Sequence, residues 1–238
     1  MQEKNQYRVC VSVGRPDMES AIQAALKIAD LADVIEIRLD SIAGAAIRPF
    51  VQAISCPLLF TNRPTWEGGF FTGFEMERVE LLIEAIRQGT AYIDLELQSP
   101  SESLLRVQRA IAHSDSQLIL SHHDFKRTPS RNELVEILQS MQEKGADIGK
   151  IITTAHDYHD VLRILHLQED ASAIQFPLIA FCMGRAGVIS RFATLELGGF
   201  MTYCAVDADE ATAPGQASVH DLRAFLRLLD DGLNRRGL

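Results

Sequence analysis

Eight short runs of apolar and β-branched residues recur along the chain, and stretches with helical periodicity separate them. Short β-branched runs favour strands, whereas apolar residues spaced three and four apart favour helices, so the alternation predicts a repeated strand–helix unit. Strands are predicted at 8–13, 34–40, 57–62, 92–97, 117–123, 148–154, 177–183 and 200–206. Helices are predicted at 18–31, 75–88, 101–112, 130–144, 156–167, 188–197 and 218–233, and the segment 41–54 is the least clear helix.

This repeat favours an α/β fold of one particular kind, a (β/α)8 TIM barrel that forms a single domain over residues 1–238. The chain has no linker and no shift in composition that would divide it. A doubly wound open sheet is the alternative, but it usually has fewer strands. The glycine-rich dinucleotide turn expected after its first strand is also absent, since residues 14–17 read GRPD. Ser130 and Glu133 predict a capping box at the start of one helix.

Charge and cysteine content narrow the function classes. The chain carries 23 basic and 32 acidic residues, a net charge of −9, and no basic run, which argues against nucleic acid or an anionic membrane as a partner. The four cysteines lack metal-ligand spacing, so no metal and no cofactor is expected, and reduced thiols suit a cytoplasmic protein. The polar N-terminus and the lack of an apolar run near 18 residues predict neither a signal peptide nor a membrane span.

Charged residues alternate with aliphatic ones at the ends of two predicted strands. In the second strand, the period of two places Glu36, Arg38 and Asp40 on one face. In the fourth strand it does the same for Asp94 and Glu96. An antiparallel strand with one wet face gives the same pattern, but neither face of a barrel strand is open water. We therefore expect these charges to point into the barrel.

Four further segments at strand ends carry candidate chemistry. Arg63 and Glu67 lie in a Gly-Gly loop after the third strand. Because adjacent residues face opposite ways, only one of His122 and His123 can face inward, and the sequence leaves open which. Arg191 follows a glycine-containing loop that opens a helix and could bind an anion. The segment 207–217 reads as a mobile loop and a possible lid.

Lys150 stands among isoleucines and small residues in the sixth strand. Apolar surroundings disfavour the charged ammonium and favour a nucleophilic amine. Taken alone, the segment favours the alternative, a strand-end lysine whose ammonium reaches water. Arginines nearby would further favour the neutral amine and would suit an anionic substrate. A lysine and a histidine without a metal-ligand cluster indicate carbonyl chemistry through a Schiff base.

The chain resembles the type I 3-dehydroquinate dehydratases, metal-free (β/α)8 enzymes of the shikimate pathway that use a Schiff base. Six motifs occur in the order of that family and span nearly the whole chain: EIRLD at 36–40, FTNRPTWEGG at 60–69, SHHDF at 121–125, IGKI at 148–151, GVISR at 187–191 and APGQ at 213–216. The resemblance implies that Lys150 forms an imine with the ring ketone of 3-dehydroquinate, that His123 is the acid and base, and that Glu67 orients His123. It implies that Arg191 binds the substrate carboxylate, and that the remaining contacts come from Ser12, Glu36, Arg38, Arg63, Thr212 and Gln216.

Some positions depart from the family pattern. Thr212 stands where the family usually has a serine in the lid, and Phe181 stands where many relatives have methionine. Only about seven residues precede the first strand, so the hairpin that closes the barrel floor in some relatives is expected to be absent. A homodimer is expected from the resemblance. The alternatives are a class I aldolase, which would yield products of C–C cleavage, and a barrel that binds a metabolite without turnover.

Overall fold

The computed structural model describes residues 7–210 and 215–234. Eight of its segments form one ring of parallel strands. The strands are β1 Val9–Val13, β2 Val34–Arg38, β3 Leu58–Thr61, β4 Tyr92–Glu96, β5 Gln117–His123, β6 Ile148–Thr154, β7 Leu178–Met183 and β8 Thr202–Ala205. Their order is β7-β6-β5-β4-β3-β2-β1-β8. Strands that follow one another from β1 to β7 are therefore neighbours in the sheet, and β8 lies beside β1. The backbone N–H of Phe200, just before β8, donates to the carbonyl of Leu178 in β7 at 2.8 Å and bridges the remaining seam.

Eight helices surround the strands in the described residues, which confirms the (β/α)8 barrel and rules out the open sheet. They are α1 Met18–Ile28, α2 Arg48–Ala53, α3 Glu75–Arg87, α4 Ser101–Ile111, α5 Arg131–Glu143, α6 Tyr158–Ala173, α7 Val188–Glu196 and α8 Val219–Asn234. None of the described helices is long and apolar enough to cross a membrane. The single domain over 1–238 stays a prediction at the residues outside the described ranges.

Most predicted bounds agree with the structure, and the capping box of Ser130 and Glu133 is confirmed. Several bounds were wrong by two residues or more; the first helix, for example, ends at Ile28 rather than at residue 31. Two of these differences have a cause in the structure. The second strand ends at Arg38, because Leu39–Ser41 turns into a 3-10 helix. Helix α6 continues six residues beyond its predicted end, because Gln168 is buried and donates to Thr194 Oγ1 at 3.0 Å, so the apolar spacing is not visible there.

The period of two divides the barrel interior into two levels. Outward-facing strand residues pack against the helices in one apolar cluster. The lower inward-facing positions form what we call the apolar floor: Cys10, Val34, Leu59, Tyr92, Ile119, Ile148, Ile179 and Met201. Two residues later on the first six strands lies what we call the polar layer: Ser12, Glu36, Thr61, Asp94, Ser121 and Lys150. The positions two residues beyond the floor on β7 and β8 are the buried aromatic residues Phe181 and Tyr203. The site therefore faces the carboxyl ends of the strands, as in other barrels of this kind.

Candidate active site

Lys150 lies inside the barrel and is only 4% exposed. Its Nζ lies 2.9 Å from Asp94 Oδ2 and 3.7 Å from Glu36 Oε1, and 4.2 Å from the centroid of the Tyr203 ring. The alternative of an ammonium that reaches water is therefore wrong. The residues nearest to the amine are carboxylates on β2 and β4 rather than arginines, so the sequence identified the lysine but not its partners.

Arg63 crosses the top of the polar layer and joins two carboxylates of β4. Its NH2 lies 2.8 Å from Asp94 Oδ1, and its NH1 lies 2.6 Å from Glu96 Oε1 and 2.7 Å from Ser121 Oγ. Burial would lower the pKa of Arg63, but Asp94 and Glu96 raise it above its ordinary value. Burial would raise the pKa of Asp94, but Arg63 and Lys150 hold it well below its usual range. Asp94 is thus a carboxylate shared by the two cations.

Asp94 and Glu96 face inward, as the alternation of β4 predicted. They are site residues that the sequence-based set missed. The pattern that showed their orientation could have identified them, but it did not show which cation each would meet. That depends on contacts between side chains of different strands and loops, which bring residues distant in sequence together.

Ser12, Glu36 and Arg38 extend the site over β1 and β2. The hydroxyl of Ser12 donates to Glu36 Oε2, and Thr61 Oγ1 donates to Glu36 Oε1 at 2.8 Å. The Arg38 guanidinium forms two hydrogen bonds to Asp40, at 2.9 and 2.7 Å. Both acidic residues of the EIRLD segment are therefore engaged, one inside the barrel and one at its rim.

The two adjacent histidines have different environments. His123 lines the cavity with Lys150, and its Nδ1 lies 2.8 Å from Glu67 Oε1, which also accepts the His123 backbone N–H at 3.1 Å. His122 lines a separate surface groove with Asp124. The structure thus places His123 toward the barrel, the choice that the residues alone left open.

Glu67 and His123 form a buried pair, and burial changes the pKa of both side chains. Burial raises the pKa of Glu67 to about 8. Burial also lowers the pKa of His123 well below its ordinary value, and the cations Arg63 and Lys150 lower it further. Near neutral pH the pair therefore binds one proton that it releases at mildly alkaline pH.

The loop that carries Glu67 is folded back on Arg63. The backbone N–H of Gly69 donates to the carbonyl of Pro64 at 3.0 Å, and that of Phe71 donates to the carbonyl of Arg63 at 3.1 Å. Gly68 has a φ of +77°, which favours glycine. A Cβ at Gly69 would lie 2.0 Å from the Arg63 carbonyl oxygen, so no side chain fits there.

Arg191 and Phe181 form the opposite wall of the cavity. Arg191 is 3% exposed, and its Cζ lies 4.5 Å from the centroid of the Phe181 ring. Burial lowers the pKa of Arg191 to about 10, which keeps the guanidinium charged at neutral pH. Gln216 also lines this cavity. In residues 7–210 and 215–234 no group of His, Cys, Asp or Glu could hold a metal ion.

Comparisons with known proteins agree on one family. The family model for type I 3-dehydroquinase matches residues 9–232. A 3-dehydroquinate dehydratase of Desulfotalea psychrophila is 50% identical, over 92% of this chain and 96% of its own length. The chain belongs to the type I 3-dehydroquinate dehydratase family. Family membership makes the protein a lyase, more specifically a hydro-lyase, and connects it with the shikimate pathway and aromatic biosynthesis.

Solved structures of type I dehydratases have the same fold. The enzyme of Clostridium difficile, described with covalently modified comenic acid, matches with a TM-score of 0.87 and 30% identity, over 95% of this chain and 93% of its own. The 3-dehydroquinate dehydratase of Geobacillus kaustophilus has the same TM-score at 26% identity, over 95% of this chain and 92% of its own. The family assignment excludes the aldolase and the barrel without turnover.

Most residues that the dehydratase resemblance implied lie around one cavity in the described part of the chain. Its lining includes Glu36, Arg38, Arg63, Glu67, His123, Lys150, Arg191 and Gln216. Ser12 reaches the cavity only through Glu36. Residues 211–214 of the predicted lid, which include Thr212, lie outside the described residues. So does the N-terminal segment 1–6, where the hairpin was expected to be absent. Tyr203 lines the cavity as well and was not predicted.

Proposed function

We propose that the chain dehydrates 3-dehydroquinate to 3-dehydroshikimate through an imine on Lys150, with His123 as the acid and base. The observation that carries the proposal is that a buried lysine and a histidine–carboxylate pair line one cavity with a buried arginine. The surface groove beside His122 also has a lysine and an arginine, but Lys144 and Arg127 are exposed there.

Lys150 supplies the electron sink. The ammonium gives up one proton and the amine adds to the ring ketone. That proton then leaves with the carbonyl oxygen in one water, and a protonated imine remains between Nζ and the ring carbon. The iminium is a cation at the position where the ammonium stood, beside Asp94 and Glu36. These fixed carboxylates therefore stabilise the intermediate without reorganisation. Tyr203, whose ring lies 4.2 Å from Nζ, adds a cation–π contact.

His123 moves the protons. With Nδ1–H donated to the Glu67 carboxylate, the imidazole keeps a bare Nε2 for the substrate. Nε2 takes a proton from the carbon next to the imine, and the electron pair of that C–H bond forms an enamine. The enamine expels the β-hydroxyl, which receives the same proton from His123 and leaves as water. Hydrolysis of the conjugated iminium then releases the enone product and restores Lys150.

Arg191 holds the substrate carboxylate. It is buried and remains charged at neutral pH. A guanidinium can bind a carboxylate through two parallel hydrogen bonds, and this fixes the ring relative to Lys150. Glu36, Arg38, Arg63 and Gln216 contribute groups for the ring hydroxyls and the ketone region, Ser12 acts through Glu36, and Thr212 completes the set expected from the resemblance.

Borohydride trapping tests the imine directly. Borohydride reduces an iminium to a stable secondary amine, so the protein treated with substrate should gain one adduct, located by peptide mass spectrometry on Lys150. Lys150→Met is the control and should show neither adduct nor turnover. The other lysines (Lys4, Lys27, Lys126 and Lys144) are internal controls. An adduct on any of them, or none on Lys150 during turnover, would contradict the proposed mechanism.

The homodimer and the cytoplasmic location remain part of the proposal. The homodimer comes from the resemblance, and the cytoplasmic location comes from the reduced thiols and the polar N-terminus. The small anionic substrate needs no nucleic acid or membrane partner. Sedimentation velocity of the purified chain at micromolar concentration checks the first, with a sedimentation coefficient for twice 26.4 kDa expected.

A further inference from the structure

We propose that Arg78, on helix α3 outside the barrel, is a positioning residue for substrate binding that acts through Glu96 on Arg63. The inference rests on the proposed function only in taking Arg63 as a group that contacts the substrate. Arg78 does not line the cavity, and no motif in the sequence pointed to it.

Arg78 is completely buried, although it lies in the first turns of a helix on the outside of the barrel. Its Nε and NH2 lie 2.8 and 2.9 Å from the two oxygens of Glu75. NH1 donates to the Asn62 carbonyl and NH2 to Ser99 Oγ, both at 3.0 Å. The segments after β3 and β4 and helix α3 therefore all fix this guanidinium. A buried arginine is a costly way to pack a helix, because an apolar side chain of similar size does so without desolvating a charge.

Glu96 connects Arg78 with the site. One carboxylate oxygen, Oε2, lies 2.7 Å from Arg78 NH1, and the other, Oε1, lies 2.6 Å from Arg63 NH1. The side chain of Glu96 is inaccessible to solvent. Because each oxygen is bound by a different arginine, the carboxylate has no freedom to rotate. Arg78 thereby fixes the oxygen to which Arg63 is bound.

The contacts continue from Arg63 to the lysine. Arg63 NH2 lies 2.8 Å from Asp94 Oδ1, and Asp94 Oδ2 lies 2.9 Å from Lys150 Nζ. This connected set contains three cations, Arg78, Arg63 and Lys150. Four carboxylates pair with them, those of Glu75, Glu96, Asp94 and Glu36.

Removing the charge of Arg78 takes a cation away from both Glu75 and Glu96 and makes the connected set more negative by one unit. Arg63 is then the only arginine on Glu96 and is drawn toward it, away from the cavity. The interior also becomes more negative, which opposes an anionic substrate. Both effects weaken substrate binding.

The test compares Arg78→Met with Arg78→Lys in steady-state kinetics. Arg78→Met should raise KM about tenfold, since a displacement of about 1 Å at a binding group is enough for such a loss, and should change kcat by less than about threefold. Arg78→Lys keeps the positive charge but lacks the several N–H donors of the guanidinium. Its KM should therefore rise less than that of Arg78→Met. Arg87→Met is the matched control on the same helix. Arg87 pairs with Glu80 at 2.9 Å on the surface, and its removal should leave KM unchanged.

A double-mutant cycle separates positioning from mere packing of α3. If Arg78 acts through Glu96, Arg78→Met should add little to the KM of Glu96→Gln, because the connection is already broken. Equal, additive losses in both backgrounds, or an unchanged KM in folded Arg78→Met, would overturn the inference. If Arg78→Met does not fold, Arg78→Lys takes its place in the cycle. A KM that Arg78→Lys leaves unchanged, both in the otherwise unmutated protein and in Glu96→Gln, then overturns the inference. The Lys150 adduct of the unmutated protein is measured beside them, so a failed Schiff base is distinguished from a failed role of Arg78.

Discussion

The apolar floor and the polar layer are neighbouring levels of the same strands, one pleat apart, yet they have opposite character. Ile148 and Lys150 on β6, or Ile119 and Ser121 on β5, differ only by one period of two. The floor has the composition of an ordinary core. The polar layer places charges where neither strand face meets bulk water. Residues that stabilise the fold and residues that carry the chemistry therefore lie on the same strands. They are separated by their position along each strand.

The charges in the polar layer and just above it compensate one another. Asp94 lies within 3.0 Å of both Lys150 and Arg63, and Glu96 above it lies within 3.0 Å of Arg63 and Arg78. Burying a charge costs several kcal/mol when its partner is missing. We therefore expect substitutions in the floor to lower stability and substitutions at the upper levels to lower activity.

The largest effect should separate the two histidines. His123→Ala should lower kcat by about a thousandfold, the size expected for loss of a general acid and base, while imine formation persists. His122→Ala should cost less than about tenfold, since His122 lines a surface groove. Turnover and borohydride trapping of both variants check this. Equal losses would mean that position relative to the barrel does not decide the role.

Within β6, Ile148→Ala should show the opposite response. Ile148 is fully buried in the floor directly below Lys150. Its truncation should lower the free energy of unfolding by about 2–5 kcal/mol, because it leaves a cavity. The folded variant should keep kcat within about threefold of the unmutated protein. Urea unfolding and kinetics on the same preparation measure both. A loss of kcat far above that range would show that floor and layer are not separate.

The pH dependence should report the Glu67–His123 pair. The base is the deprotonated pair, so kcat/KM of the free enzyme should rise with pH through an apparent pKa near 8, the value to which burial raises the pKa of Glu67. In Glu67→Gln only His123 titrates. Since burial lowers the pKa of His123, the rise should move to below pH 6.5, with activity reduced by about tenfold. A rise that stays near pH 8 in Glu67→Gln would assign that titration to another group.

The smallest effect should come from Tyr203, at the level of the polar layer on β8. Among the described residues its buried hydroxyl has no hydrogen-bond partner. An unsatisfied buried hydroxyl is unfavourable, so Tyr203→Phe should raise the free energy of unfolding by up to about 1 kcal/mol. The ring beside Lys150 is retained, and kcat should stay within about threefold. Thermal unfolding checks the sign, and a loss of stability would show that the hydroxyl is satisfied.

Much of the fold was predictable because its periodicities are strong. The predicted spans of β5 and β6 match the structure residue for residue. Alternation together with the predicted barrel gave the inward orientation of Glu36 and Asp94. What the sequence could not show is which side chains of different elements meet, such as Asp94 with both Arg63 and Lys150.

The wrong or missing predictions have a common physical cause. The arginines were expected to favour a neutral amine by proximity, but Arg63 is held by Glu96 and by Asp94, and Asp94 also contacts Lys150. The role of Gln168 in extending α6 and the burial of Arg78 also depend on partners on other elements. Long-range pairing of polar side chains leaves no local pattern, so periodicity cannot predict it.

The loop that folds back on Arg63 has a consequence for redesigning this barrel toward other ketones. Gly69 cannot accept a side chain without displacing the Arg63 carbonyl, so the loop after β3 offers no room for new contacts. Phe181, on the opposite wall, presents only a hydrocarbon ring to the cavity and to Arg191. Libraries aimed at a new substrate range should therefore vary β7 and keep Gly69 constant.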